Sequence, residues 1–246
     1  LLSALCGGRA KNKNKKGGEK NMNKKIKLLA FLIGGTSFVL SFLTLPSRAL
    51  AEEDKKANVG LNIGLSIANE SISAGGISLS PSSRTGLAVG VDFMYDVIEY
   101  ISMGAGLMYI QKGAEVTTNI EGVTVSGKDT FNYIVIPIPV HFQGNIKAGN
   151  SLVRPFALFS LEPSFLLSAK TEVKAAGMTQ EEDITDALEG LDFGIGFGGG
   201  IKVLFSSFFL SAQGKYILGL TDIVKDVEID GKNRAFTILL GAGLRF

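Results

Sequence analysis

The sequence predicts an all-β chain whose strands close into an eight-stranded, antiparallel, up-and-down transmembrane β-barrel. Three observations predict it. After Ala51, bulky apolar residues alternate with small or polar ones, with a period of two, in eight separate runs. The connections between these runs alternate short and long, which in a meander collects every long connection at one end. The two faces of each run also differ in bulk: one is aliphatic and aromatic, the other Gly, Ala and Ser with a few charges.

The third observation sets direction. A barrel of eight strands has a lumen just wide enough for side chains to fill, so the residues that converge on its axis must average small. The bulky set then faces outward, where only hydrocarbon tolerates it. A soluble lipocalin-like barrel would put apolar residues inside and charges outside, yet the bulky face here carries almost no charge. Open sheet edges do not occur in lipid, so the strands must close on themselves.

The chain divides into three parts. Residues 1–21, LLSALCGGRAKNKNKKGGEKN, have no periodicity and are expected to be an upstream, non-structural segment. Residues 22–51 have a basic opening, MNKKIK, and an apolar stretch, LLAFLIGGTSFVLSFLTLP. They end in a small-x-small site at Ala49 and Ala51, which completes a cleaved signal peptide. A transmembrane helix of about 20 apolar residues is the competing reading; Gly34, Gly35, Pro46 and the Ala-Leu-Ala ending favour cleavage. Residues 52–246 form the barrel.

Residues 1–51 hold ten of the 25 Lys+Arg and one of the 23 Asp+Glu, so the barrel region carries fifteen against twenty-two and is acidic. The basic character of the whole chain belongs to the discarded segment, and no nucleic-acid partner follows from it. Cys6, the only cysteine, goes with it, leaving no intrachain disulfide and no thiolate chemistry.

The first run, Ala57 to Ile67, sets Val59, Leu61, Ile63, Leu65 and Ile67 against Asn58, Gly60, Asn62, Gly64 and Ser66. The second, Thr85 to Tyr95, sets Leu87, Val89, Val91 and Phe93 against Gly86, Ala88, Gly90 and Asp92, and the third is Tyr100 to Lys112. The fourth, Phe131 to Gln143, turns Tyr133, Pro137, Pro139 and His141 to one side, and its prolines each remove a ladder donor. The fifth, Arg154 to Ser168, is apolar on both faces and groups Ser160, Glu162 and Ser164.

In the sixth, Leu191 to Val203, Phe193, Ile195, Phe197 and Ile201 face lipid, and Gly194, Gly196, Gly198 and Gly200 make room for larger lumen groups of neighbouring strands. The seventh, Phe208 to Leu220, is less regular. The eighth, Arg234 to Phe246, sets Phe236, Ile238, Leu240, Leu244 and Phe246 outward.

YIQKG at Tyr109 to Gly113, YIVIP at Tyr133 to Pro137, DFGIG at Asp192 to Gly196, GLTD at Gly219 to Asp222 and NRAFTILLGAGLRF at Asn233 to Phe246 occur in this order along the barrel region. In order and spacing they resemble the small outer-membrane barrel domain known as the "porin family" or PorT-like type, common in Bacteroidetes. The resemblance implies an eight-stranded barrel in the outer membrane of a Gram-negative cell. It does not imply transport. Phe246 resembles the C-terminal aromatic signal that the barrel-assembly machinery reads.

No catalytic constellation and no cofactor site is expected. His141 is the only histidine, which excludes a metal cluster built on histidine; it is expected in the lumen near the periplasmic end, hydrogen-bonded to a neighbour. Asp92, Lys112, Glu162, Asp192, Lys202, Lys215 and Arg245 fall on the inner face, where isolated charges are costly, so they are expected to pair across the lumen as a polar plug. A narrow ion path is the competing reading.

The loop Ala169 to Gly190 carries an acidic cluster, Glu181, Glu182, Asp183 and Asp186, expected outside the cell. Thr179 with Glu182 has the spacing of a capping box and predicts a short surface helix. Gly113 to Thr130 reads as a hairpin that continues the third and fourth strands above the bilayer. The expected partners are outer-membrane lipids and lipopolysaccharide, the assembly machinery, and a surface or periplasmic protein. The role is structural or interactive, with a channel or an accessory part of a secretion machine as alternatives.

Overall fold

The computed structural model describes residues 55–74, 77–79, 81–120, 123–148, 151–175, 178–225 and 229–246. The upstream segment and the signal peptide lie outside the described residues. Within them, thirteen strands make one antiparallel sheet. They are β1 (Ala57–Ala74), β2 (Ile77–Leu79), β3 (Ser82–Ile98), β4 (Ile101–Lys112), β5 (Ala114–Ile120), β6 (Val123–Val135), β7 (Ile138–Gln143), β8 (Ile146–Ala148), β9 (Ser151–Ala175), β10 (Met178–Asp183), β11 (Leu191–Leu204), β12 (Phe208–Gly219) and β13 (Ile229–Arg245).

The pairings run in a ring. β1 pairs β3, β3 pairs β4, and β4 pairs β6 and β7. Both β6 and β7 pair β9, which leads through β11 and β12 to β13. β13 then returns to β1 along seventeen residue pairs, from Asn58↔Arg245 to Ala74↔Ile229. The first and last strands therefore have no free edge against each other, as burial in lipid requires.

Each predicted run is a strand or pair of strands. At the long-connection end the strands overrun the predicted runs: β1 continues to Ala74 and β9 to Ala175, and the expected Gly113–Thr130 hairpin is β5 paired with β6. Gly113 turns the chain between β4 and β5 at φ +138°, a region that side chains with a Cβ rarely enter. The fourth run is split at Ile136 and Pro137, between β6 and β7, where Pro137 cannot donate. The Ile136 N–H instead bonds the Pro163 carbonyl, and the Pro137 carbonyl accepts from Gly106 N–H, so the wall stays attached on both sides.

The bulky face points outward. Phe193, Phe197 and Ile201 are exposed at 44%, 50% and 43%, while Asp192 and Lys202, which flank that stretch, are buried at 1% and 5%. Leu61, Ile63, Leu65, Leu161, Ile238 and Leu240 extend the same apolar belt around neighbouring strands.

The expected surface helix at Thr179 and Glu182 is not formed. Those residues lie in β10, which pairs antiparallel with Lys170 to Ala175 of β9. Ladder bonds to an adjacent strand outcompete a capping box that would have no apolar face to bury. The helical turn lies just beyond, a 3-10 turn at Thr185–Ala187 without a side-chain cap; Asp183 Oδ1 accepts the Thr185 N–H at 2.9 Å.

Candidate functional site

The inner faces of the strands bring polar side chains together at successive levels. Nearest the long connections the level is apolar. The segments 184–190 and 220–225 meet there, and Ile184, Leu188, Ile223 and Val224 are buried with Phe131 and Ala169. Backbone bonds from Glu189 N–H to the Ile223 carbonyl (2.8 Å) and from Lys225 N–H to the Ala187 carbonyl (3.2 Å) tie the two segments to each other.

Beneath them, Lys112 Nζ lies 3.3 Å from Asp192 Oδ2 and 4.7 Å from the centre of the Tyr133 ring. The Asp192 carboxylate also accepts from Asn233 Nδ2 at 3.0 Å and from Thr221 Oγ1 at 2.9 Å. Next, Lys215 Nζ (2.6 Å) and Ser160 Oγ (2.5 Å) both donate to Glu162 Oε1. Gly196 faces this trio. A Cβ there would meet Ser160 Oγ, with Glu162 Oε1 and Lys215 Cδ each 3.0 Å away, so only hydrogen leaves the space these three occupy. At Gly194, Gly198 and Gly200 the nearest obstruction is a neighbouring backbone carbonyl, that of Leu218, Gly214 and Ala212 in turn, with the Ile217 side chain next at Gly194 and the Phe156 ring next at Gly200.

Some of the predicted inner-face charges meet in direct contacts. Lys112 with Asp192 and Lys215 with Glu162 are two ion pairs. Asp92 accepts from Asn62 Nδ2 at 2.7 Å, Lys202 Nζ sits 4.7 Å above the Phe209 ring, and Arg245 donates to the Phe205 carbonyl at 2.9 Å. His141 is buried as expected, but its Nδ1 has no hydrogen-bond partner; the ring stacks on Phe156 at 4.3 Å and 9°.

At the short-connection end, Arg154 pairs with Asp96 at 2.5 Å and donates to Asn145 at 2.8 Å, while Gln143 accepts from Ser102. Arg154 and Asp96 are an ion pair that the sequence reading did not single out. The signal was present for Arg154, which has the same parity along β9 as Ser160 and Glu162. Asn233 and Tyr133, which complete the Asp192 level, lie inside two of the resemblance segments but are uncharged.

The acidic cluster is exposed: Glu181 pairs with Lys170 at 2.5 Å, and Asp186 stands in the 3-10 turn. The Lys170 partnership holds the ammonium's pKa above its ordinary value, through the hydrogen bond and the charge of Glu181. Among the described residues, no group of three or more His, Cys, Asp or Glu is close enough together to hold a metal ion. Phe246 closes the ladder, exchanging backbone bonds with Ala57 at 2.8 and 3.2 Å.

A closed antiparallel ring with an apolar outside is the architecture of the family whose model matches residues 47–225, described as "Outer membrane protein beta-barrel domain". The chain belongs to that family. The match stops before β13, the strand that joins β12 to β1. Membership places the barrel in the outer membrane.

No curated protein matches the chain in sequence. Among solved structures it is similar to Neisserial surface protein A (12% identity, TM-score 0.42), covering 77% of this chain and 99% of that one. It is also similar to Ail, the attachment invasion locus protein of Yersinia pestis, in complex with the heparin analogue sucrose octasulfate (15%, TM-score 0.34, covering 78% and 99%). A third is the outer membrane protein OprG of Pseudomonas aeruginosa (12%, TM-score 0.34, covering 78% and 97%). The family assignment rests on the family match, and these distant likenesses add no argument to it.

Proposed function

We propose that this outer-membrane barrel is a non-enzymatic protein, exported with a cleaved signal peptide, with a structural or interaction role through its outer connections and a lumen closed by side chains. Eight walls follow when β4 with β5, and β6 with β7 and β8, are each counted as one interrupted wall, with β2 and β10 as arms outside the ring. Short connections then face the periplasm and long ones the exterior, which puts Glu181, Glu182, Asp183 and Asp186 at the cell surface and Phe246 where assembly machinery would meet it. The observation that carries the closed lumen is burial at successive levels: Tyr133 at 0%, Glu162 at 1%, Asp192 at 1% and Lys202 at 5%.

Two measurements test this. In planar bilayers the protein is expected to show no steady conductance; a stable open level in the wild type would favour the channel reading. On intact cells, a membrane-impermeant maleimide is expected to label Glu181→Cys and to spare Ser206→Cys until the outer membrane is breached. Labelling in the reverse order would overturn the orientation. The PorT-like resemblance keeps an accessory role in secretion as a second proposal, for which loss of the gene should cause a secretion defect.

A further inference from the structure

At the long-connection end of the lumen, Glu70 of β1 and Asn233 of β13 are direct partners in the β1–β13 ladder. Both side chains face inward, buried at 2% and 1%. Side chains directly opposite in an antiparallel pair have Cβ atoms roughly 4.5–5.5 Å apart. The orientation of the Asn233 amide is fixed from its other side, because Nδ2 donates to Asp192 Oδ2 at 3.0 Å and to the Tyr133 hydroxyl at 3.1 Å. Flipping the amide would set its oxygen against a carboxylate. Oδ1 is therefore turned away from Asp192, and it has no hydrogen-bond partner; neither do Glu70 Oε1 and Oε2.

Three buried acceptors thus stand on adjacent residues with no donor supplied to any of them. The ammonium of this level, Lys112, is committed to Asp192. A second carboxylate, Asp129, is buried at 4% and held on one oxygen by Thr171 Oγ1 at 2.5 Å. Burial, with the charge of Asp129 adding to it, pushes the Glu70 carboxyl up to about 8. Glu70 lies beyond the apolar belt, since its flanking outward residues are Asn69 and Ser71 and the next outward residue of β13 is Arg234.

We propose that Glu70 and Asn233, with the charge of Asp129 nearby, form an all-oxygen site for a hard divalent cation at this end of the lumen. Carboxylate and amide oxygens without nitrogen or sulfur are the donor set of Ca²⁺ and Mg²⁺. A proton on Glu70 turns one carboxyl oxygen into a donor to the Asn233 oxygen and leaves the other carboxyl oxygen unsatisfied. A cation serves all three and offsets Asp129 as well. With only two residues in contact and water completing the shell, binding belongs in the weak range of extracellular modules, with Kd on the order of 10⁻⁴–10⁻³ M.

Terbium luminescence on the full chain folded in detergent micelles tests the site, with Tyr133 as the sensitising ring. The wild type is expected to give Tyr-excited Tb³⁺ emission that Ca²⁺ displaces, together with a Tm that rises with Ca²⁺ and falls on chelation. Glu70→Gln should lose both the emission and the Ca²⁺ response, and Tyr133→Phe should lose the emission but keep the response. Glu181→Gln and Glu182→Gln should change neither. Emission retained in Glu70→Gln would place the ion elsewhere and overturn the proposal. So would a wild-type Tm indifferent to Ca²⁺, and in that case a Glu70→Gln variant more stable than the wild type at pH 7 would assign the missing partner as a proton on Glu70.

Discussion

Lys112 and Asp192 stand 80 positions apart in sequence and 3.3 Å apart in the lumen, both nearly fully buried. A buried charge stripped of its partner is penalised heavily, so Lys112→Met should lower unfolding stability by about 3–5 kcal/mol, measured by urea titration of the protein in lipid. Replacing both residues with apolar ones should recover much of that loss; full loss in the double variant would mean the lysine acts through Tyr133 instead. At the rim, Asp183 has its pKa held below the ordinary 3.8 by the Thr185 hydroxyl first and the Thr185 N–H second. A carboxyl depressed in the folded state stabilises above its unfolded pKa and loses that contribution as pH falls through its folded one. The Thr185 amide should therefore keep its hydrogen-bonded chemical shift at pH 5 and lose it only in acid below 3.8, and Asp183→Asn should reduce this titration. A shift that titrates well above pH 4 would be inconsistent with that contact.

At the scale of elements, β11 shows why glycine recurs in a strand that must hold its register. Gly196 faces Ser160, Glu162 and Lys215. Gly196→Val should force these side chains from their positions and destabilise the barrel by about 1–3 kcal/mol, the usual cost of overpacking, with urea midpoints as the readout. Gly190, which has nothing within 4 Å of an added Cβ, is the control that should tolerate alanine. Length separates roles in the same way. β9 has 25 residues, whereas a transmembrane strand needs about 9–11. The remainder rises beyond the belt to pair with β10 and the start of β6, which is where the acidic residues are displayed.

For the whole molecule, the decisive property is which face meets hydrocarbon. Phe193→Arg should cost about 2–4 kcal/mol if the side chain lies near the bilayer midplane and less toward an interface. Folding into lipid vesicles measures it, and a neutral outcome would place Phe193 out of the hydrocarbon. That face was legible in the sequence because a period of two is a local property: Phe193, Phe197 and Ile201 share a side of the strand whatever the rest of the chain does. The steric choice of that side as the outside was legible too, since the residues converging on a narrow axis must average small, although Phe131, Tyr133, Phe156 and Phe209 are buried inside as well.

Local pattern fixed the strands, their alternation of faces, the end at which long connections gather, and part of the list of inward charges, without Glu70, Asp129 or the Arg154–Asp96 pair. It could not say which of those charges meet, because partners such as Lys215 and Glu162 are joined only through the register of intervening strands. It also misread Thr179 and Glu182, where a helix-start spacing lost to a ladder supplied by β9. Tertiary closure decided the rest: the ion pairs, the apolar segments that meet at one end, and the donor-poor meeting of Glu70 with Asn233. These depend on strands distant in sequence being brought to one height around a common axis, and no window of adjacent residues contains that height.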